Sequence, residues 1–305
     1  MPAISLIICT HNPRPDYLQR VLDALRVQTL PTDQWELLLI DNASKESVAS
    51  VWDLSWHPLA RHIREDELGL TMARLRGIRE ATGDFLIFAD DDNVLAADYL
   101  GEVVSIFNRW PMLGAIGASI KGEFEVSPPD WIAPYLETLV VCELEKDHWS
   151  NFGGWSRATP YGAGLCVRRG IAEDYAQKVR VSQLRRLLDR SGTGLLMGGD
   201  LDLAWCAIDL GMGIGRFTSL KLTHLISKGR LTENYIVRLE AAVSASYEIL
   251  GVLRNHGSNS RTSNVRRIRF LINYWRANKI ERKIMLVSEK TRSEARKLVA
   301  SHQSS

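Results

Sequence analysis

The amino-acid sequence predicts an α/β fold: a mainly parallel central sheet with flanking helices, followed by a C-terminal helical extension. Short apolar, β-branched runs alternate with amphipathic helical patterns through the first part of the chain. The loops between them are short, the mark of parallel strands covered on both faces. Polar clusters stand where three of the apolar runs end: Thr10-His11-Asn12, Asp41-Asn42 and Asp90-Asp91-Asp92. Ligands of such sheets bind at the carboxyl ends of the strands, so the topology directs these clusters toward one crevice.

Residues 4–9 are a β-branched run that reads as a buried strand. A helix follows from about residue 16, with Leu18, Val21, Leu22 and Leu25 on one face. Residues 35–40 form a second strand and 59–64 a third. The next helix runs from about Thr71 to Gly83, a glycine placed to stop it. Residues 84–89 are a strand that ends at the acidic run, and a helix at 96–109 and a strand at 113–118 complete this half. The middle holds turn-rich segments around Trp131 and Trp155 and a strand at 162–167. A helix begins near Asp200, a strand covers 220–222 and ends before His224, and the pattern is helical from Glu233 onward, interrupted by a polar linker at 255–264.

Composition places the chain among soluble globular proteins: 305 residues, 45% hydrophobic and 24% charged. Cys9, Cys142, Cys166 and Cys206 form no CxxC pair, which argues for reduced structural thiols in a cytosolic protein, against a disulfide framework or structural zinc. The first residues lack the charged start of a signal peptide, and no apolar stretch approaches the ~18 residues that span a bilayer. The net charge of +2 is uneven: from Gly251 onward thirteen Lys and Arg face three Glu, so the rest of the chain is acidic.

Three adjacent carboxylates after a buried strand repel one another unless a cation or a set of donors lies between them. Hard oxygen ligands suit Mg2+ or Mn2+, which bridge to substrate phosphates. Strand alternation turns Asp90 and Asp92 toward one site and Asp91 away, leaving Asp91 the structural member. Read alone, the run is equally a solvated turn that caps the next helix. Asp200 and Asp202 lie ~200° apart on a helix and cannot share a site; Asp202 reads as a first-turn acid favoured by the helix dipole. His224 alone reads as a hydrogen-bonded structural residue or a ligand. Arg230, in a Gly-containing loop, is suited to phosphate, and one of Arg74 and Arg76 to an ordinary exposed charge. No GxxxxGK[ST], no GxGxxG after the first strand and no GxSxG occur, which excludes the commonest other phosphate and nucleophile motifs.

Taken in order, seven segments resemble the family 2 glycosyltransferases, inverting enzymes of the GT-A fold with its Rossmann-like central sheet. They are Ser5 to Asn12, Leu38 to Ser44, Gly69 to Ile78, Phe88 to Asn93, Tyr161 to Gly164, Gly199 to Leu203 and His224 to Tyr235. Each is weak alone; their order and spacing carry the likeness. The resemblance implies a UDP-sugar donor, a glycan or glycolipid acceptor and a divalent metal, Mn2+ or Mg2+. Thr10 and Asn12 would line the nucleotide pocket, Asp41 would meet the base, Arg74 the base and diphosphate, and Asp90 the ribose, with Asp91 beside it in the donor site. Asp92 would ligate the metal, with His224 as a further ligand or a diphosphate donor. Arg230 would hold the leaving diphosphate, and Asp200 would be the general base. Residues 1–118 would then be the nucleotide-sugar-binding half, 119–250 the acceptor-binding and catalytic half, and 251–305 the basic helical extension. Two departures stand out. Gly199 replaces the Glu that often precedes the base, and Leu75 stands between Arg74 and Arg76 where Asn is usual.

In the extension, Ile268, Leu271, Ile272 and Trp275 share one helical face among Arg266, Arg267, Arg269 and Arg276. Such a helix either docks on protein or lies on an anionic membrane surface. The second alternative would make a cytoplasmic protein peripheral to the inner face of the membrane and suit envelope or extracellular glycan synthesis. The acidic remainder and lack of a reading motif argue against nucleic acid. A sugar nucleotidyltransferase and a non-catalytic nucleotide-sugar-binding module are the rival readings.

Overall fold

The structure, a computed structural model, describes residues 2–189, 196–254 and 263–303, and side chains there except those of 263–269 and 303. The strands are β1 Ile4–Thr10, β2 Trp35–Asn42, β3 Ala60–Glu65, β4 Phe85–Asp90, β5 Asn93–Leu95, β6 Leu113–Phe124, β7 His148–Ser150, β8 Leu165–Arg168 and β9 Gly213–Ile226. The helices are α1 Pro15–Arg26, α2 Leu70–Glu80, α3 Tyr99–Arg109, α4 Arg169–Val181, α5 Gln183–Arg186, α6 Gly199–Asp209, α7 Glu233–Leu253, α8 Ser263–Arg276 and α9 Lys279–Gln303.

All nine strands join one sheet in the order β3-β2-β1-β4-β8-β6-β9-β5, with β7 added on β9. The first four strands in space are parallel, as expected. Beyond them the sheet is mixed, because β8 runs antiparallel to both β4 and β6, while β6 and β9 pair in parallel. Strands from early and late in the chain interleave in it: β8 lies between β4 and β6, and β5 is at the far edge beside β9.

Alternation along β1 explains its two-sided burial. Ile4, Leu6 and Ile8 enter the core under α1 and α3, while Ile7 and Cys9 enter the core under α2, α4 and α6. Burial of each such aliphatic side chain is worth about 1.5–3 kcal/mol. Gly77 lets α2 lie close on β1, since a Cβ there would stand 2.4 Å from Ile7 Cγ2. That close seat brings Arg74, one turn earlier, to the strand ends.

Two expected boundaries shift. Helix α2 ends at Glu80, and Gly83 does not cap it. Gly83 is instead pressed on β1, its N–H donating to Ser5 Oγ at 2.8 Å, and a Cβ there would lie 2.5 Å from the Ile4 carbonyl carbon. The strand expected at 220–222 is the central part of the longer β9, so His224 lies within a strand and not after one. Long-range pairing with β6 and β5 extends it, which local sequence does not report. The elements β5, β7, α4 and α5 were not expected; of the polar linker expected at 255–264, residues 255–262 lie outside the described residues and 263–264 open α8. No helix among the described residues is long and apolar enough to cross a membrane.

Candidate active site

A cavity of about 590 Å3 opens at the carboxyl ends of β1 and β4, bounded on its far side by α6 and α7. Thr10, Arg74, Asp90, Asp91, Asp92, Asp200, His224 and Arg230 all line it. Each of the three strand-end clusters thus reaches this cavity, through Thr10 and His11, through Asn42, and through Asp90, Asp91 and Asp92, and eight of the ten candidate residues line it.

Asn12 and Asp41 do not line the cavity; each adjoins in sequence a residue that does, His11 and Asn42. Asp41 is buried, its Oδ1 accepting from the Ser44 N–H at 3.0 Å and its Oδ2 from Arg64 Nη1 at 2.8 Å and the Val48 N–H at 3.2 Å. Burial pushes its carboxyl up, but these donors together hold it below the usual range. Asn12, in the left-handed region at φ 49°, donates its N–H to Ser44 Oγ at 2.9 Å and accepts from the Lys45 N–H. Ser44 thus ties the loop after β1 to the loop after β2.

The acidic run does not continue the strand. Strand β4 stops at Asp90 and the chain turns at Asp91 and Asp92 before β5. The alternation expected to turn Asp91 away fails for that reason: Asp91 lines the cavity and accepts a hydrogen bond from Thr10 Oγ1. Burial, joined by the like charges of Asp92 and Asp90, raises its carboxyl to about 7 against the opposing Thr10 bond. The turn is fastened by buried Asn93, whose Oδ1 accepts from the Asp90 N–H at 3.0 Å and whose Nδ2 donates to Asp92 Oδ1 at 2.9 Å.

Antiparallel pairing of β5 with β9 sets His224 opposite Asn93, and so beside Asp92. His224 Nε2 lies 3.5 Å from Asp92 Oδ2, and the Arg230 guanidinium reaches both, Nη2 to Asp92 Oδ2 and Nη1 to His224 Nε2, each at 2.9 Å. A guanidinium only donates, so the Nε2 lone pair faces it. Among the described residues no group of three or more His, Cys, Asp and Glu is gathered to hold a metal. Asp92 Oδ2 and His224 Nε2 make two donors, and the Asp90 and Asp91 carboxyls line the same cavity. Such a set fits an ion that completes its shell with phosphate oxygens and water.

Asp200 and Asp202 diverge, as the helix geometry requires. Asp200 faces the cavity, with Oδ2 accepting from the Gly162 N–H at 2.8 Å and Oδ1 from the Leu201 N–H at 2.9 Å. Burial raises its carboxyl above the usual range; Arg74 opposes the rise and Asp189 adds to it. Asp202 is a first-turn acid of α6, as expected, but not an exposed one. It is fully buried between Arg185 and Arg254, at 2.7 Å and 2.8 Å, because α5 and α7 close over that side of α6.

Arg74 is buried and donates to Asp189 Oδ2 at 2.8 Å, while Arg76 sits over Glu80 at 3.0 Å and takes the ordinary surface role. Asp189 lines the cavity and was missed, because no pattern in the sequence near it connects it to α2. Asn42, expected at the crevice but given no role of its own, lines the cavity, and its Oδ1 accepts from the Gly69 N–H at 2.8 Å. Of the two loop tryptophans, Trp155 lines the cavity with Tyr161 and Tyr247, whereas Trp131 packs on Tyr135. Val140, a β-branched residue at φ 59°, also lines it, a strained backbone of the kind that gathers at functional sites.

Comparison with known proteins bears on the fold and the family. A Haloferax volcanii glucosyl-dolichyl phosphate glucuronosyltransferase is 21% identical over 173 residues, 55% of this chain and 53% of that protein. Glycosyltransferase AglE of the same organism is 30% identical over 95 residues, 30% of this chain and 31% of that protein. The chain thus spans about half or less of the length of these relatives. Among solved structures, S. aureus TarS 1-349 matches with a TM-score of 0.55 over 97% of this chain and 92% of that one, at 14% identity. GalNAc-T7, solved with UDP, GalNAc and Mn2+, matches with a TM-score of 0.53 over 82% of this chain and 51% of that one, at 16% identity. These likenesses bear out the expected GT-A fold. The family profile for glycosyl transferase family 2 matches residues 5–159, about half of the sequence, and the chain belongs to that family.

Proposed function

We propose that the protein is an inverting glycosyltransferase that moves a sugar from a UDP-sugar to an acceptor hydroxyl. The observation that carries this reading is the placement of Asp200 across one cavity from the Asp90-Asp91-Asp92 turn. Residues 1–118 supply the donor side and 119–250 the base and acceptor side. TarS, which shares the fold, has been solved in complex with UDP and with UDP-GlcNAc, and this supports the donor class.

Thr10, Asp90 and Asp91 bind the nucleoside, next to the loops that hold Asn12 and Asp41. Asp92 and His224 are the residues that would hold Mn2+ or Mg2+; when bound, the ion supplies positive charge against the donor diphosphate. Arg230 turns from Asp92 to the diphosphate and neutralises it as the nucleotide leaves. Arg74 approaches the diphosphate from the opposite wall. Asp200 takes the proton of the acceptor hydroxyl as that oxygen attacks the anomeric carbon, and the raised carboxyl is suited to accepting it. Trp155, 43% exposed at the cavity mouth, offers a face on which the acceptor sugar stacks.

The acceptor is a glycan or glycolipid of cell-envelope or extracellular synthesis, presented at an anionic membrane surface to a cytoplasmic protein. Leu271, Ile272 and Trp275 are 48%, 47% and 73% exposed on α8, which favours that surface over burial on this chain. The side chains of Arg266, Arg267, Ile268 and Arg269 lie outside the described residues.

A thermal-shift screen of nucleotide sugars, with and without Mn2+, tests the reading. It expects stabilisation by UDP and UDP-sugars that Mn2+ increases and that Asp92→Ala abolishes. Stabilisation by nucleoside triphosphates in place of UDP-sugars would favour a nucleotidyltransferase.

A further inference from the structure

Gly199 opens α6 immediately before Asp200, and the space a side chain would enter there is already filled. A Cβ on Gly199 would lie 2.2 Å from Oδ2, 2.6 Å from Cγ and 2.8 Å from Oδ1 of Asp189. Asp189, arriving from the segment after α5, therefore sets its carboxylate where a residue-199 side chain would begin. On its α2 side that carboxylate accepts from Thr71 Oγ1 at 2.9 Å and from Arg74 Nη1 at 2.8 Å. The side chains of Asp189 and Arg74 are each 5% exposed. The other arm of the guanidinium and Asp200 meet at Gly162: a Cβ there would lie 3.3 Å from Arg74 Nη2 and 2.8 Å from Asp200 Oδ2. One guanidinium thus stands between two carboxylates, with Asp189 behind it and Asp200 in front.

Building on the reading of Asp200 as the base, we infer that Asp189 is a positioning residue for transfer. Its carboxylate stands in for the side chain missing at Gly199 and holds Arg74 with its free edge toward the donor and Asp200. A buried guanidinium that loses its partner turns to the nearest remaining carboxylate. Here that is Asp200, and the pairing would occupy the oxygen the base needs. Asp189 keeps Arg74 from closing on Asp200, so the site retains both a cation for the diphosphate and a free base.

The test uses the full chain with Mn2+, following UDP release from UDP-glucose, UDP-galactose or UDP-GlcNAc, whichever the native protein turns over fastest. Asp189→Asn keeps the shape and removes the charge. Its kcat should fall about tenfold or more, UDP should still raise its melting temperature, and the acid limb of its pH profile should move to lower pH. Asp189→Ala should lose as much, and Asp189→Ala/Gly199→Asp, which moves the carboxylate across, should recover most of the loss. Gly199→Asp alone, which forces two acids into one space, should be damaged. A native rate and acid limb in Asp189→Asn would overturn the inference, as would a double variant no better than Asp189→Ala. Asp200→Asn separates the two claims: normal turnover in it overturns the base assignment and this inference together. Inactivity in it beside an unaffected Asp189→Asn overturns this inference alone.

Discussion

Arg230 Nη2 stands 2.9 Å from Asp92 Oδ2, so a cation of the protein's own occupies the carboxylate expected to meet the metal. The same guanidinium covers His224 Nε2 at 2.9 Å. An ion held by Asp92 and His224, as proposed, would compete with the arginine for this pair of atoms until a diphosphate takes the arginine. Arg230→Ala should therefore bind Mn2+ more tightly in the free protein, yet bind UDP roughly tenfold or more weakly with Mn2+ present, the scale of a lost charge-assisted contact. Calorimetric titrations of Mn2+ and of UDP check the two halves; weakened Mn2+ binding in this variant would contradict the competition.

Asp200→Asn retains the shape at the start of α6 but no longer accepts a proton. Transfer should drop by 10²-fold or more, the range of general-base catalysis, with UDP affinity within about twofold of native. Steady-state rates and a UDP titration on the same preparation provide the check.

The pH profile follows from the same carboxyl. Burial, with the Asp189 charge added and Arg74 opposing, raises Asp200 above the ordinary aspartate value of about 3.9. A base works only when ionised, so kcat/KM falls as pH drops through that raised value and is flat above it. An acid limb at or below the ordinary aspartate value would contradict the burial of the base.

Asp202 is a matter of stability. It is 0% exposed between Arg185 and Arg254, whose side chains are 10% and 6% exposed. Asp202→Ala leaves two buried cations without this partner and should destabilise the fold by about 3–5 kcal/mol. Urea unfolding measures the loss. A change under roughly 1 kcal/mol would mean that water reaches both arginines.

How much was legible in the sequence depends on the range of the interaction. Strands β1, β2 and β4 are buried on both faces and read as apolar runs, interrupted only by Ser5 in β1 and Glu36 in β2, so they and the polar residues at their ends were visible. Asp91 was misread because periodicity assumes a continuing strand, and the strand ends at Asp90 through a hydrogen bond to Asn93. His224 was misplaced because β9 is long only by virtue of its pairing with β6 and β5. Asp189 was invisible, since its partners Thr71 and Arg74 are distant in sequence and only packing brings them together.

The most direct measurement of the central claim is the identity of the product released from a UDP-sugar in the presence of Mn2+. The account predicts free UDP, at a rate that Asp92→Ala and Asp200→Asn each abolish. Pyrophosphate as the released product, or UDP release that persists unchanged in both variants, would contradict it.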